Sequence, residues 1–287
     1  MRKRSRSVLL LALALAIVAL AMAQQSERLS LRFRKISVPN SQATFISGIN
    51  NQDAMVGYYI AHDGTEHGLL LADEKVTNID HPNGVNGTYC SNLNSDGTIV
   101  GNYYDSSNTA HGFEYQGGNF TDVGPAGFPS IAAGINDKGE FVGGYTSSGI
   151  IHGYLWNGKK YLTLDVPGAS QTFAADINSH GQIVLDWVDS SGNNEGALYH
   201  RMKYTTLDVP GAVQSIPNDL DNAGDVVFSW ADSNGNFHGA LLLGKNFSMF
   251  DDPKAQGATY GSGINDHEVI VGSYFDGSTT WGFKARY

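Results

Sequence analysis

Two short motifs recur six times along this chain of 287 residues, and their common period constrains the fold more than any other feature. The first is a glycine before apolar residues, at Gly68, Gly112, Gly153, Gly196, Gly239 and Gly282, with spacings of 44, 41, 43, 43 and 43 residues. The second is an apolar residue before Asn50, Asn94, Asn136, Asn178, Asp221 and Asn265, with spacings of 44, 42, 42, 43 and 44 residues. Because the two motifs stay in register, we interpret the chain as six copies of one structural unit.

Each copy has the composition of four short β-strands. In the third copy, segments 130–136, 140–145, 152–156 and 160–166 are rich in Tyr, Phe, Val and Thr. Turn sequences separate them, including Asn157-Gly158, which is a strong hairpin signal. The 35 glycines suit many strands joined by tight turns. The sequence therefore predicts an all-β protein.

The two chain ends predict how the six copies are arranged. Residues 31–39 read as a fourth strand, similar to segments 161–167 and 204–210, whereas the last copy stops after its third strand at Tyr287. Pairing these ends would close a ring and remove an exposed sheet edge. Four strands in 41–44 residues also match a propeller blade. We predict a six-bladed β-propeller of four-stranded blades, in which the N-terminal strand joins the last blade.

The predicted propeller occupies residues 24–287 as a single domain. Its repeats are placed at about 45–86, 87–128, 129–170, 171–213, 214–256 and 257–287, with the strand 31–39 added to the last. The first strand of each copy has the smallest side chains, so we place it innermost. Tyr59, Tyr103, Tyr145, Trp187, Trp230 and Tyr274 share one position at the end of the second strand. We expect these rings to pack between blades, with sugar stacking as the alternative role.

Residues 1–23 read as a cleavable signal peptide. Arg2, Lys3, Arg4 and Arg6 precede an apolar run at 8–20, and Ala21-Met22-Ala23 gives the small-x-small cleavage pattern. A retained membrane anchor is the alternative, but 13 apolar residues are fewer than the roughly 20 that span a bilayer. We expect a secreted or periplasmic protein with no membrane association after cleavage.

Charge and cysteine content narrow the classes of partner. Removal of the four basic residues of the signal leaves 14 basic against 28 acidic residues, and such a surface repels nucleic acid and anionic lipid. Cys90 is the only cysteine, so no internal disulfide forms. We expect a monomer whose partner is an extracellular ligand, either carbohydrate or protein.

The consensus of the copies resembles a known repeat. Gly134 to Tyr145 reads Gly-Ile-Asn-x-x-Gly-x-x-Val-Gly-x-Tyr, and His152-Gly153-Tyr154 and Asp165 to Gly168 follow it. This pattern resembles the HAF-type extracellular repeats of bacterial secreted proteins over nearly all of the mature chain. The middle residue of the eponymous His-Ala-Phe triplet is Gly here, as in His111-Gly112-Phe113. The resemblance implies a secreted, propeller-like protein and carries no catalytic residues to transfer.

Two features suggest metals, and we interpret both as structural. His67, His111, His152 and His238 share one repeat position, with Glu195 and Trp281 in the other copies. Equivalent positions on different blades point apart, whereas metal ligands must converge, so we expect local hydrogen bonds instead. Segments 189–193 and 232–236 resemble calcium loops but lack the closing Glu, and Asx turns explain them without metal. We therefore predict no metal and no cofactor.

Copies four and five depart from the repeat and are the predicted location of a ligand site. Their first strands carry Asp176 and Asp219 where other copies have Gly or Asn, and Asp221 replaces the repeat Asn. Their second strands contain Asp186, Trp187 and Trp230. A local asymmetry near the centre of a propeller is a natural ligand site. Drift in a solvated channel is the alternative explanation.

Two functions are compatible with this pattern. The sequence shows no Gly-x-Ser-x-Gly elbow and no partner for Cys90, which favours a binding or interaction module for a glycan, peptide or surface polymer. The alternative is a propeller hydrolase or lyase acting on carbohydrate, with Asp176, Asp219 or Asp221 as acid and base. The distance between these carboxyl groups and their exposure distinguish the two.

Overall fold

The computed structural model describes residues 30–287, and the predicted signal peptide lies outside them. This part of the chain is all β, as predicted, with 24 strands and no helix. Residues 30–287 accordingly contain no helix that could cross a membrane.

The strands follow the sequence repeats. The first strand of the described residues is β1 (Arg32–Ile36). Repeat 1 contains β2 (Ser41–Ile49), β3 (Met55–Ala61), β4 (Glu66–Ala72) and β5 (Lys75–Asn78). Repeat 2 contains β6 (Thr88–Leu93), β7 (Ile99–Tyr104), β8 (Ala110–Gln116) and β9 (Asn119–Val123). Repeat 3 contains β10 (Ser130–Ile135), β11 (Phe141–Ser147), β12 (Ile150–Trp156) and β13 (Tyr161–Leu164).

The second half of the chain repeats the pattern. Repeat 4 contains β14 (Gln171–Ile177), β15 (Ile183–Val188), β16 (Asn194–His200) and β17 (Lys203–Thr206). Repeat 5 contains β18 (Gln214–Leu220), β19 (Val226–Ala231), β20 (Phe237–Leu243) and β21 (Asn246–Phe250). Repeat 6 contains β22 (Ala258–Asn265), β23 (Val269–Phe275) and β24 (Thr280–Arg286).

Strands within a repeat pair antiparallel in sequence order. Repeats 1 to 4 each form a separate four-stranded sheet. The strands of repeats 5 and 6 belong to an eight-stranded sheet, in which one parallel pair, Phe237 with Ala258, joins them. β1 completes repeat 6 by pairing antiparallel with β24, from Arg32 opposite Arg286 to Ile36 opposite Gly282.

The first strand of every repeat contains a β-bulge at the same place. One extra residue interrupts its pairing with the second strand, at Ser47, Ser91, Ala133, Ala175, Asn218 and Ser262. A bulge bends its strand and redirects the next side chain. The residues after the bulge are Gly48, Asn92, Gly134, Asp176, Asp219 and Gly263, and all six are buried. They include two of the predicted site residues.

Apolar side chains fill the space between successive repeats. Val142 of repeat 3 packs in one cluster with Ala174 and Leu185 of repeat 4. Another cluster combines Val269 and Val271 of repeat 6 with Ile46 and Leu69 of repeat 1. Buried apolar surface therefore joins neighbouring repeats, including the last to the first.

The repeat asparagine links each repeat to the next. The Asn50 side-chain amide donates to the Asn94 carbonyl oxygen at 3.0 Å, and Asn94, Asn136 and Asn178 make the same bond to the following repeat at 3.3, 3.1 and 2.9 Å. Asn265 Nδ2 donates to the carbonyl oxygen of Asn50 at 2.9 Å, across 215 residues of sequence. The asparagine Oδ1 accepts bonds from its own turn, as from Gln52 and Ala54 at Asn50. One side chain thus shapes its turn and contacts the next repeat.

Candidate functional site

A narrow pocket lies where the first strands of all six repeats end. We call it the convergence pocket. It is lined by the apolar residue at the end of each first strand and by the residues that follow, and the six apolar residues are Ile49, Leu93, Ile135, Ile177, Leu220 and Ile264. Asp176, Asp219 and Asp221 also line it. Its volume of about 60 Å³ holds a few water molecules but no sugar ring.

Asp176 and Asp219 meet in this pocket, with only 3% of each residue exposed. Their carboxyl groups are within hydrogen-bonding reach of one another. Asp176 also accepts from Asn92 Nδ2 at 3.0 Å and from the Leu220 amide at 3.4 Å, while Asp219 accepts from the Ile264 amide at 3.0 Å. The structure thus brings together two predicted residues from adjacent repeats.

Burial and mutual repulsion change the acidity of this pair. Desolvation raises the pKa of Asp176 to about 6, although the hydrogen bond with Asp219 opposes the change. Desolvation and the charge of Asp176 raise the pKa of Asp219 well above its usual value. We infer from these shifts that the pair shares one proton, because two adjacent buried carboxylates would repel one another.

Glycine in the neighbouring repeats makes room for these carboxyl groups. A Cβ atom on Gly134 would lie 2.1 Å from Asp176 Oδ1, and one on Gly48 would lie 2.7 Å from Asn92 Oδ1. The residues that follow the bulges in neighbouring repeats therefore lie close together. The glycines leave the space that the side chains of Asn92 and Asp176 occupy.

Asp221 contributes to the pocket differently. It replaces the linking asparagine, and its carboxylate accepts from the Asp225 amide at 2.9 Å. A carboxylate has no N–H to donate to the next repeat, so this link is absent among the described residues. Burial raises the pKa of Asp221 to about 6.

Asp186, Trp187 and Trp230 do not line the convergence pocket. Asn194 Nδ2 donates to both oxygens of Asp186, at 3.2 and 3.1 Å, and burial raises the pKa of this carboxyl to about 6. Trp230 Nε1 donates to the Gly239 carbonyl oxygen at 3.3 Å. Trp187 Nε1 is buried and has no hydrogen-bond partner within residues 30–287. The six predicted residues therefore do not form a single site.

The repeated histidines make local hydrogen bonds, as predicted. In three of the four, Nδ1 contacts a carboxylate 13 residues later in the chain, with distances of 3.0 Å for His67–Asp80, 2.9 Å for His152–Asp165 and 3.0 Å for His238–Asp251. His111 differs, since its Nε2 lies 3.0 Å from Asp105 Oδ2. In repeat 4 the corresponding pair is Glu195 and Asp208, and desolvation and the Asp208 hydrogen bond raise the pKa of Glu195 to about 7.

The aromatic residue at the end of the second strand covers this histidine. The ring centroids of Tyr59 and His67 are 5.2 Å apart, those of Tyr145 and His152 are 5.3 Å apart, and those of Trp230 and His238 are 4.7 Å apart. The stacking partner lies in the same repeat. The aromatic side chains also pack in the apolar clusters between repeats, as predicted, with Tyr59 in the cluster of repeats 6 and 1 and Trp187 in that of repeats 3 and 4. Stacking on histidine covers one face of each ring.

The two loops that resemble calcium sites are Asx turns. Asp189 Oδ1 accepts from the amides of Ser191 and Asn193 at 2.7 and 2.9 Å, and Asp232 Oδ1 accepts the equivalent bonds at 2.8 and 2.9 Å. The hydrogen bonds lower the pKa of Asp189. Within the described part of the chain, no three His, Cys, Asp or Glu side chains converge as metal ligands.

A larger pocket, which sequence reasoning missed, lies between repeats 5, 6 and 1. We call it the aromatic pocket, and its aromatic lining residues are Phe45, Tyr58, Tyr260 and Phe275. Its polar lining residues are Ser47, Asn218, Ser229, Gln256, Ser262, Ser273 and Thr280, of which Asn218 and Ser229 already donate to the Gly261 carbonyl oxygen. Its volume is about 710 Å³, and no charged residue lines it. Phe275 is 36% exposed, and Phe45 and Tyr58 stack with centroids 4.4 Å apart.

A weak sequence signal marks this pocket. Phe45 and Tyr260 occupy a position that is aromatic in four repeats, which also include Tyr89 and Phe173, and Phe275 occupies the position of Ala231. Only the folded chain brings positions from the first and last repeats together, so these substitutions look unrelated in the sequence.

Comparison with known proteins identifies the fold. No family model matches the chain, and no curated protein matches its sequence, so the relation to HAF-type repeats stays a prediction. Solved structures do match. A fungal lectin from Aleuria aurantia, described as a six-bladed β-propeller with fucose recognition, is 12% identical, with a TM-score of 0.52 over 88% of this chain and 93% of the lectin.

Two further matches are of other kinds. A putative TolB from Agrobacterium tumefaciens is 12% identical, with a TM-score of 0.61 over 85% of this chain and 91% of that protein. A putative gluconolactonase is 12% identical, with a TM-score of 0.54 over 91% and 93% of the two chains. Likeness at this identity concerns the fold and not the activity. The four-stranded antiparallel sheets and these matches together show that the chain has a β-propeller fold.

Proposed function

We propose that residues 24–287 form a secreted or periplasmic, monomeric six-bladed propeller that binds a neutral glycan in the aromatic pocket. No cofactor is required for this function. The six repeats correspond to the six blades, and β1 completes the last of them. The Asn265–Asn50 hydrogen bond and the pairing of β1 with β24 support a ring that its own ends close.

The lining of the aromatic pocket carries the functional proposal. Aromatic faces pack against the C–H faces of sugar rings, and hydroxyl and amide groups satisfy sugar hydroxyls. A volume of about 710 Å³ is within the range of small-molecule sites. The absence of charged residues from the lining favours a neutral saccharide over an acidic or basic ligand.

The carboxyl groups give less support to a carbohydrate hydrolase or lyase. Glycosidase carboxyl groups are separated by roughly 5 Å or more, so that the sugar bond fits between them. Asp176 and Asp219 are within hydrogen-bonding reach of one another instead. The pocket of about 60 Å³ excludes a sugar ring from both. We therefore favour binding over catalysis.

A glycan array with purified residues 24–287 tests the proposal, followed by titration of the best ligand. Phe275→Ala removes an exposed aromatic wall, and we expect binding to weaken roughly ten-fold, as truncation of an interface aromatic does. Phe128→Ala is the matched control, since Phe128 is 42% exposed and does not line the pocket.

Two results would contradict glycan binding at this place. One is the absence of binding across a broad panel of neutral oligosaccharides. The other is binding that Phe275→Ala and Phe128→Ala affect equally.

A further inference from the structure

A separate pocket lies between repeats 1 and 2 and combines three tyrosines with one carboxylate. We call it the tyrosine pocket; Tyr58, Tyr89, Tyr104, Glu66 and Asn102 line it, with two further asparagines. Its volume is about 520 Å³, and no Lys or Arg lines it. Only Tyr58 is shared with the aromatic pocket.

All three rings line the pocket, and the ring of Tyr89 is steeply inclined to those of Tyr58 and Tyr104. The centroids of Tyr58 and Tyr89 are 4.9 Å apart with an angle of 66° between the rings. Those of Tyr89 and Tyr104 are 5.7 Å apart with an angle of 88°. Phe45 covers one face of Tyr58, and the tyrosine rings that line the pocket can attract a cation over their remaining faces through the ring quadrupole.

The polar groups of the pocket also favour a positive ligand. The Tyr89 hydroxyl donates a hydrogen bond to Glu66 Oε2, which leaves Oε1 free of this bond. Burial, reinforced by Glu66, raises the pKa of Tyr58 to about 12, and burial also raises that of Tyr89. Both hydroxyls therefore stay neutral at physiological pH, and the carboxylate of Glu66 supplies the charge.

Asn102 adds an amide group to the lining of the pocket, and the residue is 6% exposed. Polar groups of a bound molecule can form hydrogen bonds with this amide.

The combination occurs at one junction between repeats. At the next junction, the positions of Tyr58, Glu66, Tyr89 and Tyr104 hold Asn102, Ala110, Ile131 and Thr146. Packing requirements common to all repeats would place similar residues at every junction. They therefore do not explain an acidic residue and three tyrosines at a single junction.

We propose that the tyrosine pocket binds a small trimethylammonium compound. Such a cation is weakly hydrated, so its transfer onto aromatic faces costs less than that of a primary ammonium. Its methyl groups contact the rings, and its charge is balanced by Glu66. This site is distinct from the aromatic pocket and does not depend on glycan binding there.

Calorimetric titration of residues 24–287 with choline tests the proposal, and its neutral isostere 3,3-dimethylbutan-1-ol is the matched ligand. We expect saturable binding of choline and binding of the alcohol that is weaker by roughly ten-fold, because the alcohol has no charge for the rings or Glu66. Ethanolamine, a primary ammonium, is also expected to bind more weakly than choline.

Variants locate the site. Glu66→Gln and Tyr104→Leu are expected to weaken choline binding roughly ten-fold, while Tyr104→Phe retains the aromatic face and most of the affinity. Glu114→Gln is the control, since it removes a charge from repeat 2 outside the pocket. The proposal is overturned if choline fails to bind, if the alcohol or ethanolamine binds as tightly, or if Glu66→Gln behaves like Glu114→Gln.

Discussion

At the residue scale, the most unusual feature is the pair of buried aspartates in the convergence pocket. The structure gives Asp176 and Asp219 main-chain and asparagine donors, but no Lys or Arg lines their pocket. Burial without a compensating cation disfavours the charged form. The pair is therefore a source of instability that increases as the protons are lost.

Asp219→Asn should stabilise the protein, and the gain should grow with pH. The folded pKa of both groups is raised above the unfolded value of 3.8, so the native state loses stability as pH rises from about 4 through about 6 and higher. Asn keeps an acceptor for Ile264 and donates to Asp176. We expect a gain of about 1–3 kcal/mol at pH 8 and little at pH 4, measured by urea unfolding at both pH values.

Asp96→Asn is the control for this experiment, because Asp96 is an exposed turn residue with the same charge. An equal gain from both variants would mean that lowering the net charge, and not relieving the pair, stabilises the chain. A loss of stability in Asp219→Asn at pH 8 would contradict the shared-proton arrangement.

At the element scale, the turn after each first strand is the unit that connects neighbouring repeats. The asparagine motif was visible in the sequence as a period, but its two roles were not. A side chain that accepts bonds within its turn is a local feature, whereas its bond to the next repeat requires the tertiary arrangement. Repeat 5 has lost that bond through Asp221.

Asp221→Asn should restore the missing link between repeats 5 and 6. The new amide N–H would donate to the Asn265 carbonyl oxygen, as each of the five equivalent asparagines donates to a carbonyl oxygen of the next repeat. A typical buried hydrogen bond adds about 1 kcal/mol, which corresponds to roughly 2–4 °C in Tm for a chain of this size. Differential scanning calorimetry at pH 7 measures the change.

The reverse substitution, Asn136→Asp, is the matched comparison. It removes the link between repeats 3 and 4 and is expected to lower Tm by a similar or larger amount, since it also places a carboxylate beside the Asn178 carbonyl oxygen. The interpretation fails if the two variants change Tm in the same direction.

At the scale of the whole molecule, the ends of the chain determine whether the sheet edges are covered. β1 lies against β24, which would otherwise present unpaired amide and carbonyl groups. Lys284 Nζ lies 3.0 Å from Asp53 Oδ1, and the Asn265–Asn50 bond lies nearby in the same two repeats. Contacts between residues more than 200 positions apart thus hold the last repeat to the first.

Removal of residues 24–39 should therefore expose an edge strand and cause self-association. We expect residues 40–287 to elute as dimers or larger species in size-exclusion chromatography with light scattering, and to unfold at lower temperature. Residues 31–287, which retain β1, are the control and should stay monomeric. A monomer of unchanged Tm without β1 would show that the strand is not needed for closure.

The sequence by itself determined the all-β class, the six repeats, the strands within them and the N-terminal strand, because periodicity and turn residues act locally. It also indicated Asp176 and Asp219 as exceptions to the repeat. Only the tertiary structure decided that these two meet while Asp186, Trp187 and Trp230 lie elsewhere. The physical reason is that the bulge and the contacts between repeats set where each side chain points. The aromatic and tyrosine pockets likewise form from residues of different repeats, and that juxtaposition has no local signature.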